Sequence, residues 1–103
     1  MTAHPKRAPD RCPTHPGALL REIVLPALPV AKTEVARALG ISRQSLYDIL
    51  SEKQPVTPAM AVRLGIVLGT TASSWLKMQT AFDLWHAERT VDTSRLTSLK
   101  QAS

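Results

Sequence analysis

The stretch "KTEVARALGISRQSLYDIL", residues 32–50, most constrains what this chain can fold into. Two short runs with apolar residues at helical spacing flank Gly40-Ile41-Ser42. Val35, Ala36 and Leu39 mark one face of the first run; Leu46, Ile49 and Leu50 mark one face of the second. Gly40 suits the left-handed residue that closes a helix. Ser42 suits the N-cap of the next helix, because its hydroxyl can accept an otherwise unpaired N–H. Ile41 plugs the angle between the two. Helices this short do not stand alone in water, so the rest of the chain has to supply a core for them.

The flanking segments read as helices too. In "HPGALLREIVLPALPV", Leu19, Leu20, Ile23 and Val24 recur at helical spacing and Pro16 fits the first turn. Pro26 and Pro29 end this helix near Leu25. In "VTPAMAVRLGIVLG", Thr57 is the N-cap and Pro58 the first helical residue. Met60, Ala61, Leu64 and Leu68 form its inner face, and Gly69 ends it. The longest helix runs from about Ala72 to Arg89, with Trp75, Met78, Phe82 and Trp85 spaced by three, four and three residues. No strand signal, repeat or long linker intervenes. The expectation is an all-α, five-helix domain. Residues 1–15, with three prolines and no apolar period, form a flexible N-terminal arm. Residues 16–90 form the domain, ending in a dimerisation helix, and residues 91–103 form a polar tail.

Several function classes fall away. The only cysteine is Cys12, so no internal disulfide forms, which fits a reducing cytosol. No apolar run approaches the ~20 residues that span a bilayer, and no apolar segment follows the basic N-terminus as in a signal peptide. His4, Cys12 and His15 are too few, and too poorly spaced, for a zinc site. Ser73 and Ser74 lack a histidine base at useful spacing, and His86 stands alone, so no catalytic set and no cofactor are expected.

A short helix, a glycine turn and a second short helix form a helix-turn-helix pattern. The inward residues of the second helix leave Arg43, Gln44, Tyr47 and Asp48 on its outer side, near the end that reads bases in such a motif. Arg can bond guanine O6 and N7, and Gln can bond adenine N6 and N7. Ser42 and Ser45 can reach phosphates or base edges. Lys32 and Thr33, at the start of the first helix of the pair, and Lys53, beyond the second, complete the expected DNA-binding set. Asp48 would read cytosine N4 or orient Arg43. The net charge is +5, placed as scattered cations rather than a basic block. The competing interpretation of the same residues is a solvated helix face in a plain bundle. Trp75, Met78, Phe82, Leu84 and Trp85 have two uses, core packing against the first helix or a dimer seam. Arg63 is expected to make a structural ion pair.

"TEVARALGISRQSLYDILSEK" resembles the helix-turn-helix of the lambda-repressor-like (Xre) family. "HPGALLREIVLPAL" before it and "PVTPAMAVRLGIVLGTTASSWLKMQTAFDLWHAE" after it resemble HigA-type antitoxins of toxin–antitoxin modules, over roughly His15 to Glu88. The resemblance implies a bacterial cytoplasmic homodimer that binds double-stranded operator DNA in its own promoter. It also implies neutralisation of a HigB-type toxin, a RelE-like mRNA endonuclease. By motif position it assigns operator contacts to Ser42, Arg43, Gln44, Ser45 and Tyr47 and a phosphate contact to Lys32. Two departures stand out. The family usually has Asn-Gly-Lys where this chain has Ser51-Glu52-Lys53; if Glu52 has to adopt the positive φ of that glycine it is strained, with its carboxylate toward the DNA side. Ala31 replaces the usual Thr or Ser cap of the second helix. A solitary Xre-type regulator, or a protein-binding module with weak nonspecific DNA binding, are the alternatives.

Overall fold

The computed structural model describes residues 11–100. Of the expected arm and tail, residues 1–10 and 101–103, including His4, lie outside the described residues. The described chain forms five helical segments and no strand. α1 begins as Pro16–Leu19 and continues through a π turn, Leu20–Val24, into a 3-10 turn, Leu25–Ala27. α2 is Lys32–Leu39, α3 Arg43–Leu50, α4 Pro58–Leu68 and α5 Ala72–Thr90.

α1 departs from expectation in two ways, and one proline explains both. Pro26 has no N–H for the carbonyl four residues back, and its ring crowds that carbonyl. The ladder widens instead, and the Leu25 N–H reaches the Leu20 carbonyl, five residues back. The helical path therefore extends to Ala27 rather than ending near Leu25. The wider turn also changes which residues face inward. Leu20 and Leu25, five apart, are buried, whereas Ile23 is 61% exposed.

α2 and α3 form where their periodicity places them. Gly40 takes φ 72° and closes α2, with its N–H on the Arg37 and Ala36 carbonyls. Ile41 is half-buried against the core. Ser42 Oγ accepts the Ser45 N–H at 3.0 Å. Thr57 caps α4 in the same way, through the Met60 N–H at 3.2 Å, and Gly69 ends α4 at φ 72°. The core gathers Val35, Ala36 and Leu39 of α2, Leu46, Ile49 and Leu50 of α3, and Ala61 and Leu64 of α4 around Leu20, Leu25 and Trp75.

Two buried polar residues fix the packing of the longer elements. Gln79, in the middle of α5, accepts the Val56 N–H at 2.8 Å and donates to Asp83 Oδ1 at 2.9 Å. It ties the α3–α4 loop to α5. His15 is 3% exposed, although the sequence places it in the arm. Its Nδ1 accepts the Gly17 N–H at 2.8 Å, making it the N-cap of α1, and its ring meets Phe82 edge-on at 4.8 Å. The domain thus begins one residue earlier than the proline-rich stretch implies. Gly17 itself lies directly against the Ile49 carbonyl, so α1 and α3 touch backbone to backbone.

Candidate nucleic-acid interface

α3 stands as a ridge between two hollows. One, about 330 Å³, is lined by Arg21, Lys32, Gln44, Tyr47, Asp48, Leu50, Ser51 and Lys53. The other, about 260 Å³, lies between α3 and the start of α4, with Ser45 and Asp48 on the α3 side. A helix raised in this way has the shape that a DNA major groove, ~12 Å wide, accepts.

The polar residues of the ridge are arranged by the helix itself. Arg43 is exposed in the first turn, and no hydrogen bond or ion pair engages its guanidinium among the described residues. Ser42 is committed to the cap, and its hydroxyl donates to Ser45 Oγ at 3.0 Å. That leaves the Ser45 O–H available outward. Gln44 Nε2 donates to Asp48 Oδ1 at 2.9 Å. Asp48 therefore orients Gln44 rather than Arg43. Residues four apart share a helix face, whereas Arg43 and Asp48, five apart, diverge around the axis. Gln44 keeps its amide oxygen and second amide proton for an outside partner.

α2 brings its own cation to the same face. The Lys32 ammonium sits 5.9 Å from the centre of the exposed Tyr47 ring. Thr33 is exposed one residue on, and Lys53 is exposed beyond α3. Ala31 has an extended backbone and no side chain to cap α2, as the sequence implies. Of the nine residues in the expected DNA-binding set, the structure thus gathers Lys32, Gln44, Tyr47, Asp48 and Lys53 around one hollow. Ser42, Arg43 and Ser45 lie toward the N-terminal end of α3.

Glu52 adopts φ 67°. Its carboxylate does not stand free. It meets Arg21 Nη1 at 3.3 Å. The same guanidinium donates to the Leu50 carbonyl at 2.6 Å and, through Nε, to Glu22 at 2.8 Å. Arg21 was not among the sequence candidates, and no local signal marks it, since the partners that tie it to α3, Leu50 and Glu52, lie 29 and 31 residues away. Gln79 was also missed, but a signal existed: it falls four residues after Trp75 on the buried face of α5. A polar group there has to be hydrogen-bonded.

Arg63 is structural, though its partner is not a carboxylate. Nη1 donates to the Leu39 carbonyl at 2.7 Å and approaches that of Gly40 at 3.5 Å. It closes the electronegative end of α2, where the last carbonyls lack helical partners.

The aromatic residues of α5 are used mostly in packing within the chain. Trp75 is 3% exposed, and its Nε1 donates to Thr70 at 2.8 Å, so it is a core residue. Met78 is half-buried against the core, and Phe82 lies between His15 and His86. Trp85 is half-buried beneath the Arg89 guanidinium, 3.8 Å from its ring centre. Leu84, 55% exposed, points outward. Among the described residues no group of three or more His, Cys, Asp or Glu is placed to hold a metal ion. No helix of the described residues is long and apolar enough to cross a membrane.

Known proteins share this arrangement. The helix-turn-helix family HTH_3 matches residues 31–75. An HTH-type transcriptional regulator of Escherichia coli K12, YddM, is 40% identical over 84 residues, 82% of this chain and 88% of that protein. The structure of antitoxin GraA in complex with its operator superposes with a TM-score of 0.76 at 37% identity, covering 97% of this chain and 99% of that one. Pseudomonas aeruginosa antitoxin HigA with the higBA promoter superposes with a TM-score of 0.70 at 28% identity, covering 82% and 99%.

Proposed function

Because the chain belongs to the HTH_3 (Xre-like) family of helix-turn-helix regulators and antitoxins, a DNA-binding family without catalytic function, we propose that it is the antitoxin and autorepressor of its own operon. One observation carries the reading: α3 rises between two hollows with Arg43, Gln44 and Tyr47 exposed along it. Arg43 and Gln44 read base edges, Ser45 and Lys53 contact phosphates or sugar edges, and Lys32 and Thr33 anchor the start of α2 on the backbone. Ser42 orients the first turn of α3, and Asp48 holds Gln44. Two protomers pair to match two half-sites, through a seam on α5 that includes Leu84 and the exposed edges of Met78, Phe82 and Trp85. The protein partner is a HigB-type, RelE-like mRNA endonuclease, which the antitoxin neutralises. Likeness to GraA and HigA, each solved on promoter or operator DNA, supports this reading.

The test is a titration of the duplex upstream of the chain's own gene against a scrambled duplex, across a salt series. A specificity ratio of about 10³ or more, with a steep salt slope, is the expected result. Arg43→Ala or Gln44→Ala should each remove about 1–3 kcal/mol of that discrimination. Equal, weak binding to both duplexes would sink the autorepressor reading. The toxin assignment is read separately, by co-expression with a HigB-type toxin, taken from beside the chain's own gene where one is encoded there. Copurification and loss of its mRNA cleavage are expected, and failure of both would leave a solitary regulator.

A further inference from the structure

We propose that Glu52 limits DNA affinity, by holding Arg21 away from the phosphate backbone; the inference rests on the DNA-binding reading above. Arg21 lines the same hollow as Lys32, Gln44, Tyr47 and Lys53. Its side chain is 38% exposed, so it is within reach of a backbone laid along α3. Two carboxylates, Glu22 at 2.8 Å and Glu52 at 3.3 Å, surround this one guanidinium. The three side chains together carry one net negative charge, at the edge of a hollow whose other charged lining residues are Lys32, Lys53 and Asp48. A phosphate entering there meets a cation already engaged and an excess anion.

The two carboxylates are not equivalent. Glu22 is Arg21's chain neighbour on α1. Glu52 comes from beyond α3 and sits at φ 67°, a left-handed conformation that crowds the Cβ of a non-glycine residue. That conformation brings its carboxylate back onto Arg21. Without that charge, Arg21 keeps the Leu50 carbonyl and Glu22 and gains a free edge for one phosphate oxygen. Glu52 is therefore a positioning residue, acting on DNA through Arg21.

The experiment is a double-substitution cycle read on both the operator and a scrambled duplex, over a salt series. Glu52→Gln preserves the side-chain length and the strained φ and removes only the charge. It is expected to tighten binding to both duplexes roughly fivefold at low salt and to steepen the log–log salt slope by about 0.9, one added phosphate contact. In an Arg21→Gln background the same change should leave the slope unaltered. Arg21→Met, which keeps the packing of the stem, replaces Arg21→Gln in the cycle if the latter fails to fold. An unchanged slope in Glu52→Gln overturns the inference, and so does an equal gain with and without Arg21. The two readings fail separately. A wild-type protein that does not distinguish operator from scrambled DNA sinks autorepression, whereas the Glu52 effect remains measurable on scrambled duplex alone.

Discussion

The two ends of α3 are held by different physics. At the N-terminal end the devices are local: Gly40 turns at φ 72°, Ile41 fills the corner and Ser42 caps the first turn. At the C-terminal end the backbone reaches almost the same φ, 67°, with a glutamate. There the devices come from α1, distant in sequence: Gly17 against the Ile49 carbonyl, and Arg21 on the Leu50 carbonyl and Glu52. A glycine makes a turn and offers nothing else. A glutamate tethered by an arginine makes the same turn and leaves a charge beside the surface that would face DNA. The turn before α3 thus only holds the reading residues in place, whereas the turn after it also sets a charge beside the DNA-facing surface, where affinity can be tuned.

The largest expected effect tests the long-range hold. In Gly17→Ala the new Cβ overlaps the Ile49 carbonyl oxygen, a helix backbone atom with no room to move. We expect a loss of about 3 kcal/mol in urea unfolding. A loss below about 1 kcal/mol would mean that α1 slides freely on α3, and the contrast between the ends would collapse.

Gly40→Ala tests the local hold. It forces a Cβ into the left-handed region and places it 2.7 Å from Arg63 Nη1. The arginine tip can swing away, at the expense of its bond to the Leu39 carbonyl. We expect about 2 kcal/mol of destabilisation, with the melting transition still cooperative.

The third test compares two substitutions at one position, and there the glycine is the stabilising partner. Glycine relieves the strain at position 52 and glutamine does not, while both remove the charge. Glu52→Gly should therefore be more stable than Glu52→Gln by about 1 kcal/mol in thermal unfolding. Equal stabilities would show that the C-terminal turn stores no strain and that its conformation is chosen by the tether alone.

The same division explains what could be read from the sequence. The bounds of α2 and α3, and the outward face of Arg43, Gln44 and Tyr47, follow from periodicity, a glycine and a serine within some twenty residues. Thr57, Pro58 and Gly69 bound α4 for the same reason. What could not be read depends on contacts made across the fold. The π turn of α1 moves Ile23 outward because Pro26 disturbs the helix ladder, and a fixed 3.6-residue period cannot register that. Asp48 was expected on cytosine N4 or on Arg43, and the helix geometry gave it to Gln44 instead. Arg21 and His15 acquire their roles only when α1 docks on α3 and α5. The residues proposed to read bases therefore sit at the legible end of α3, and the pair proposed to tune affinity at the less legible one.

The smallest expected effect links His15 to that same end. Burial is the main influence on His15 and pushes its pKa below the ordinary 6.5; the Glu52 and Asp83 charges pull it back up, and Arg21 adds a smaller downward push. His86 is the other titratable ring nearby, across Phe82. Neutral His15 accepts the Gly17 N–H on Nδ1, and protonation replaces that acceptor with a donor. The unfolded chain therefore takes up a proton more readily than the folded one. Stability from this group is fully present above about pH 6.5 and is lost as the pH falls from there through the lower, folded pKa. Urea midpoints between pH 7.5 and pH 5 should decline in the wild type, and His15→Asn, which retains a capping acceptor, should flatten that part of the decline. Glu52→Gln should steepen it, because the charge that favours protonated His15 in the fold is gone. A profile unaffected by position 52 would separate the α1 cap from the Arg21–Glu52 pair and confine the tuning of α3 to the guanidinium alone.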